Sequence, residues 1–422
     1  MAKEYLLMKR NKPVAGIVFN SRWEIVECFE RRGASLPEGP FMCYSDKKLD
    51  AGLLNRWFKA RMISPMRAQY GRIKEVLGTE YLQEAAVGGY GLSLFDSYWI
   101  KPEGSPKGWE EVNLFSHPYS NGLSVALADP DFSGFVKPAP NPSLFVPGHY
   151  NYVFECVAKK SSGNELTDKK TDNKKANYLF CFEEPEYVLT EYFLHTECAG
   201  LFGLLSLRYS MFDTKDGFKA ITAPIFTSEA VSYIPASMLI LGKNAIFNQD
   251  NVKTPYNLIL ARLREVSEIY KLDVKDCLDK LHRLFLFDTL FQVSDRQLFH
   301  FGYLIDEKNK KVTLSPVINS GRGLGHMMEV VRNTSCLYPL FGEPLVWNVL
   351  KIKDLEKVFS QIPFDKLKKL PEQCHKQFET LDPILADEKA TRLEKRIEMF
   401  PELVAAILEK RANNYRKLTK IQ

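Results

Sequence analysis

The stretch that decides the fold reads Asp-Thr-Leu-Phe-Gln-Val-Ser-Asp-Arg-Gln-Leu-Phe-His-Phe-Gly-Tyr-Leu and spans residues 288–304. After a short charged turn, the chain continues with Ser-Pro-Val-Ile-Asn-Ser-Gly at residues 315–321. An amphipathic helix that Asp273 can cap is predicted just upstream, and it delivers the chain to the loop around Asp295. An apolar framework thus surrounds two short polar segments. The polar residues of these segments decide which chemistry the chain can carry out.

Size and composition are those of a soluble globular protein. The 422 residues are enough for two or three domains or lobes, each with its own core. Hydrophobic residues make up 45% of the chain and charged residues 26%, which is ordinary. No apolar run approaches the roughly 20 residues needed to cross a bilayer, and residues 1–10 lack the features of a signal peptide. We therefore expect a cytoplasmic protein with no membrane partner.

The net charge and the cysteine content exclude few further classes of function. The net charge of +5 is mild, and basic residues are interleaved with acids nearly everywhere. The densest basic stretch, Lys159–Lys175, is interpreted as a solvated hairpin loop, with an anion-binding patch as the alternative. The eight cysteines show no Cys-x-x-Cys or Cys-x-x-His spacing, so we expect reduced, mostly buried thiols rather than a zinc site.

Strand patterns precede helical patterns along the chain. Five prolines within residues 130–148 indicate a linker or a domain boundary between two strand-rich regions. A C-terminal amphipathic helix is expected to pack on the preceding helices, with binding to a partner as the alternative. The patterns predict a hairpin at 4–20, strands at 152–157, 178–182, 205–212 and 219–226, and helices at 52–61, 186–201, from Thr254 and from Asp273.

The two opening segments resemble motifs of the HipA-like Ser/Thr kinases. Residues 288–304 are similar to that family's N-x-D-x-H-x-x-N-F-G-x-L signature. Residues 316–319 are similar to its P-[IL]-[FY]-D segment, which does the work of the Asp-Phe-Gly motif of ordinary protein kinases. Further similarity, to a bacterial HipA-like subgroup, covers most of the chain in the expected order: Trp57…Arg61…Ile63-Ser64-Pro65, Gly91-Leu92-Ser93-Leu94…Asp96-Ser97-Tyr98-Trp99-Ile100, Trp109…Phe115 and Ile225…Ala236.

The resemblance implies an α+β fold that is two-lobed and protein-kinase-like, with a mainly helical C-lobe and an N-terminal α/β extension. It implies an N-terminal accessory domain at residues 1–135, a kinase-like N-lobe at 136–245 and a helical kinase-like C-lobe at 246–422.

Asp295 occupies the catalytic Asp position of the family. A carboxylate there can orient the acceptor hydroxyl or take its proton. The alternative is a turn aspartate that caps the following segment. Two other positions of the loop differ from the family, because its leading Asn corresponds to Val293 and its His to Gln297.

The nucleotide-binding positions are also altered. The family's lysine falls on Cys181, whereas the glutamate that partners this lysine is kept as Glu191. A glutamate without its lysine cannot clamp phosphates. The glycine-rich run Gly321–Gly325 follows the metal segment and is interpreted as an activation-segment turn, with a phosphate cradle as the alternative.

The two metal-binding positions carry no acid. The family's magnesium-binding Asn falls on His300, and the Asp of its P-[IL]-[FY]-D segment falls on Asn319. Magnesium prefers carboxylate and phosphate oxygen, so a neutral amide and an imidazole form a poor site.

These joint substitutions predict a HipA-like pseudokinase that acts as a binding or regulatory module, with little or no phosphotransfer from Mg-ATP. The alternative is an active HipA-like Ser/Thr kinase with Asp295 as catalytic base and Asn319 as a weak metal ligand. ATP remains a candidate ligand, whereas firm binding of Mg²⁺ is not expected. The expected partner is a protein or a peptide. Nucleic acid is a possible partner only by analogy with HipA proteins that act beside a DNA-binding antitoxin.

Overall fold

The computed structural model confirms the expected α+β class, with both strands and helices among the residues that it describes. It describes residues 3–30, 49–59, 61–62, 70–117, 152–158, 175–181, 184–213, 219–236, 238, 273–293, 296, 300–320, 322–324, 352–379 and 382–418. The Pro-rich stretch at 130–148 and the helix predicted from Thr254 lie outside these residues.

The chain divides into two compact units. Unit 1 consists of Met1–Phe182, Thr222–Ala245 and Gly302–Val312, and unit 2 of Glu183–Ile221, Ile246–Phe301 and Thr313–Gln422. The predicted division into three domains remains a prediction. Within the described residues, no helix combines the length and the apolar character that crossing a membrane requires.

Unit 1 begins with the predicted hairpin. Its strands pair antiparallel from Lys3 opposite Phe19 to Lys9 opposite Lys12, so the turn lies at Arg10 and Asn11. The elements of this region are β1 Lys3–Lys9, β2 Lys12–Phe19, β3 Ile25–Phe29, α1 Ala51–Lys59, α2 Tyr70–Leu77, α3 Leu82–Gly88, β4 Tyr98–Pro102 and α4 Trp109–Val112. The hairpin is the centre of a four-stranded sheet of order β3-β2-β1-β4.

A buried ion pair explains part of the N-terminal motif. Arg61 forms a salt bridge with Asp96, and both side chains are almost completely buried. The guanidinium also donates to the carbonyl oxygen of Gly91 at 2.7 Å and lies 4.1 Å from the ring of Trp57. Motif residues that are far apart in sequence are therefore joined around one cation.

A second sheet of unit 1 contains the glycine of the opening segment. Strands β9 Val231–Pro235, β10 Gly302–Asp306 and β11 Lys311–Leu314 have the order β11-β10-β9. Gly302 pairs with Pro235, and a Cβ atom on Gly302 would collide with the carbonyl oxygen of Ile234. The close approach of the two strands therefore requires glycine at this position.

Strands β5 Tyr152–Ala158 and β6 Lys175–Cys181 of unit 1 pair antiparallel, from Tyr152 opposite Cys181 to Ala158 opposite Lys175. Two further strands follow along the chain, β7 Ser210–Asp213 and β8 Lys219–Pro224. The strand predicted at 205–212 is shorter than expected. Leu205 and Ser206 instead contact Val317: the carbonyl oxygen of Leu205 accepts the N–H of Val317 at 2.9 Å, and Ser206 forms an isolated parallel bridge with it.

The helices of unit 2 carry most of the site described below. The predicted helix at 186–201 is present but changes type: α5 Pro185–Phe193 continues as a π-helical turn, Leu194–Cys198, and a 3₁₀ turn, Ala199–Phe202. Asp273 caps the next helix as predicted, since its Oδ1 accepts the N–H of Lys275 at 2.9 Å. The other helices are α6 Val274–Phe291, α7 Ile352–Ser360, α8 Phe364–Leu367, α9 Leu370–Phe378 and α10 Pro383–Leu418.

The core of unit 2 joins these helices through aromatic side chains. Phe291, at the end of α6, stacks on Phe400 of α10 with ring centroids 5.5 Å apart. Phe202 contacts Phe291 edge-on at 5.8 Å. This packing fixes the end of α6, where the opening segment begins.

Candidate functional site

Helix α5 and its π turn present three side chains along one stripe. Tyr187, Glu191 and His195 follow one another at intervals of four residues, so they share one face of the helix. All three contact residues 319–322, as described below. His195 lies in the π turn. Such turns are rare in proteins, and many of those that occur are found at functional sites.

The Glu191 carboxylate binds the main chain of the predicted metal segment. Its Oε1 accepts the N–H of Asn319 at 2.8 Å, and its Oε2 accepts the N–H of Ser320. Oε1 also accepts the hydroxyl of Tyr209 at 3.0 Å and lies 3.1 Å from Nε2 of His195. The side chain is only 2% exposed, so these donors take the place of water around the charge.

The contacts of His195 define its tautomer. Its Nε2 atom lies 3.1 Å from both Glu191 Oε1 and Ser320 Oγ. Because an ionised carboxylate can only accept, we assign the imidazole proton to Nε2. The other ring nitrogen, Nδ1, has no hydrogen-bond partner among the described residues.

Arg296 binds the same segment through its guanidinium. Its guanidinium forms two hydrogen bonds of 2.9 Å with Asp288 of α6. It also donates to the carbonyl oxygen of Ile318 and, at 2.7 Å, to Ser320 Oγ. Burial raises the pKa of the Asp288 carboxyl above its ordinary value, and the charge of Arg296 opposes that shift.

The segment continues into a tight turn against α5. The N–H of Gly323 donates to the carbonyl oxygen of Ser320 at 2.9 Å, and a Cβ on Gly323 would lie 2.8 Å from Cδ1 of Leu194. The guanidinium carbon of Arg322 lies 5.1 Å from the centre of the Tyr187 ring, a cation–π distance. One glycine of the predicted activation-segment turn therefore meets a packing requirement.

The two predicted metal positions contact each other. The amide nitrogen of Asn319 lies 2.9 Å from both ring nitrogens of His300. His300 is 1% exposed, and Asn319 has a left-handed backbone with φ of +58°. Asn is one of the residues that tolerate this conformation.

These positions do not fit the magnesium ion that a kinase would hold. The pair supplies an imidazole and an amide without a negative charge, whereas magnesium favours anionic oxygen. Among the described residues, no group of three or more His, Cys, Asp or Glu side chains could hold a metal ion.

Of the remaining predicted site residues, Cys181 is described by the structure and Asp295 is not. Cys181 lies on β6, where it is 2% exposed. A small, buried, uncharged thiol cannot supply the cation that the lysine of the family supplies. Asp295 and Gln297 lie outside the described residues, so the role of Asp295 remains a prediction.

Sequence reasoning did not predict most of the residues that surround Glu191. A signal was present in the helix, where Tyr187, Glu191 and His195 recur every four positions. Arg296 follows Asp295 directly, but its partners Asp288, Ile318 and Ser320 lie 8, 22 and 24 positions away in sequence. The residues found only in the structure are His195, Tyr209, Asp288, Arg296 and Ser320.

Comparisons with known proteins give distant likenesses. No family model matches the chain, and no curated protein matches it. The chain resembles a solved structure of the Shewanella oneidensis MR-1 toxin–antitoxin system HipA, HipB and its operator DNA, with 10% identity, 96% of this chain and 99% of that chain covered, and a TM-score of 0.46. It also resembles the crystal structure of the Helicobacter pylori proinflammatory kinase CtkA, with 14% identity and a TM-score of 0.36. The likeness covers 57% of this chain and 92% of that chain. A HipA complex is thus among the structures it resembles, as the motifs predict.

Proposed function

We propose that this chain is a HipA-like pseudokinase, a binding or regulatory module with little or no phosphotransfer from Mg-ATP. One observation carries the proposal: Asn319 and His300, the two predicted metal positions, contact each other and bring no negative charge. Phosphoryl transfer depends on neutralising the charge that develops on the phosphates, and metal ions supply most of that neutralisation. A site without anionic ligands loses the main attraction for the metal.

The contacts of Glu191 support the same conclusion. In a kinase this glutamate orients the lysine that holds the nucleotide phosphates. Here it accepts hydrogen bonds from the main chain of Asn319 and Ser320. Hydrogen bonds to a charged group contribute about 1.5–3 kcal/mol each, so a lysine would have to replace several of them to capture the carboxylate.

We propose a protein or a peptide as the partner, and ATP without a tightly held metal as the small-molecule ligand. The Shewanella HipA structure contains HipB and operator DNA, and a role beside DNA is therefore the second option for this chain. Binding to DNA would weaken steeply as salt is raised, because phosphate contacts release counterions. Binding that does not change with salt would exclude this option.

A thermal-shift comparison tests the magnesium argument. The wild-type chain is measured with ATP in excess Mg²⁺ and with ATP in EDTA, beside a variant that restores the family residues, His300→Asn with Asn319→Asp. We expect equal shifts for the wild type and a larger shift in Mg²⁺ for the restored variant. Asn309→Asp, the same change on an exposed turn, is the control and should behave as the wild type. A wild-type shift that requires Mg²⁺ would contradict the proposal and favour the active Ser/Thr kinase.

A further inference from the structure

We infer that the side chains around Ser320 form a latch that controls access to His300 and Asn319. The latch consists of Glu191 and His195 from one helical segment and of the Arg296–Asp288 pair. The inference rests on the proposed function, because it describes how the same segment is regulated. Its experiment uses no nucleotide, so it can fail or succeed independently of that proposal.

Polar contacts from two parts of the chain hold the segment. From helix α5 and its π turn, Glu191 binds the two N–H groups at 319 and 320, and His195 lies 3.1 Å from Ser320 Oγ. Arg296 binds the carbonyl oxygen of Ile318 and the hydroxyl of Ser320. The Ser320 hydroxyl thus contacts both His195 and Arg296.

Each residue of the segment from 317 to 320 forms a hydrogen bond through its main chain. The N–H of Val317 donates to Leu205, and the carbonyl oxygen of Ser320 accepts from Gly323, both at 2.9 Å. Together with the bonds of Glu191 and Arg296, these contacts engage every residue from 317 to 320. The left-handed Asn319 is therefore fixed with its amide against the ring of His300.

Because these contacts are polar and buried, we expect the segment to be either fully held or released. Buried ion pairs and hydrogen bonds contribute little net stability but favour one arrangement strongly, because a half-made network leaves charges unpaired. A guanidinium, two carboxylates and an imidazole lie within this buried cluster. Loss of one contact is thus expected to open the segment rather than to let it adjust slightly.

The segment contacts a side chain whose exposure can be measured, because the amide of Asn319 lies against the ring of His300. His300 is 1% exposed, whereas His375, on helix α9, has a side chain that is 34% exposed. Diethyl pyrocarbonate modifies exposed imidazoles, so mass spectrometry of digested protein reports the opening at His300, with His375 as the internal reference.

The test compares Glu191→Gln and Ser320→Ala with the wild type. Glu197→Gln is the matched control, since Glu197 lies on the same helical segment but pairs with the exposed Lys366 at 2.7 Å. We expect modification of His300, relative to His375, to rise roughly 10- to 100-fold in the two latch variants, as the loss of a charge-assisted hydrogen bond predicts. The control should equal the wild type.

Two results would overturn the inference. One is rapid modification of His300 in the wild type, and the other is an unchanged rate in folded latch variants. If Glu191→Gln fails to fold, Ser320→Ala decides, because it removes a single hydroxyl. A purely structural role would lower the unfolding midpoint of Ser320→Ala without raising the relative rate at His300 in the folded protein.

Discussion

Glu191 Oε1 accepts a 2.8 Å hydrogen bond from the main-chain N–H of Asn319, a residue 128 positions further along the chain. Glu191 thus binds the backbone of the segment predicted to hold a metal. The amide of Asn319 in this segment contacts His300. Three predicted site residues, Glu191, Asn319 and His300, therefore belong to one hydrogen-bond network.

Replacement of Arg296 should destabilise unit 2 strongly. Arg296→Met leaves Asp288 buried without its partner, and removing one member of a buried pair costs about 3–5 kcal/mol. The free energy of unfolding from urea titration measures this loss. Arg283→Met is the control, because Arg283 pairs with the more exposed Asp279 and such surface pairs contribute about 1 kcal/mol or less. Equal losses in the two variants would contradict the buried network.

Gly302→Ala should destabilise the β9–β10 pair. Its methyl group would collide with the carbonyl oxygen of Ile234, and overpacking of this kind costs about 1–3 kcal/mol. Gly71→Ala in α2 is the control, because nothing lies within 4 Å of its added Cβ and alanine favours a helix. We expect thermal unfolding to shift down for the first variant and stay equal or rise for the second. A Gly302→Ala protein as stable as the wild type would exclude the close approach.

Position 319 should accept only residues that tolerate a left-handed backbone. Asn319→Gly and Asn319→Asp keep the φ of +58° accessible, whereas the β-branched Asn319→Val does not. Left-handed backbone costs an ordinary residue about 1–2 kcal/mol, so the valine variant should unfold at lower denaturant than the aspartate variant. The opposite order of midpoints would show that the backbone at 319 is extended.

The thiols of the described residues should react slowly in the native protein. Burial raises the pKa of Cys374 to about 12 and that of Cys28 to about 11, so little thiolate forms at pH 8. Iodoacetamide should therefore label both cysteines slowly in the folded protein, with Cys28 faster than Cys374 because it is the less buried of the two. Rapid labelling of Cys374 at pH 8 in folded protein would contradict its burial.

Local patterns predicted the elements better than the contacts between them. Alternation predicted the β1–β2 hairpin, and Asp273 was predicted as the cap of α6, because both depend on residues close in sequence. Glu191 was predicted for a site, but its hydrogen bonds to the backbone of Asn319 and Ser320 leave no trace in local sequence. The strand predicted at 205–212 is shorter for a similar reason, since Ser206 pairs with the distant Val317.

The most direct measurement is phosphotransfer by the purified chain. Wild-type protein and Asp295→Ala are incubated with Mg-ATP, and intact-mass spectrometry records the phosphate that each has gained. Because the predicted metal positions His300 and Asn319 carry no negative charge, we expect both proteins to keep their original mass. A phosphorylated wild type beside an unmodified Asp295→Ala variant would show a working kinase and contradict the pseudokinase proposal.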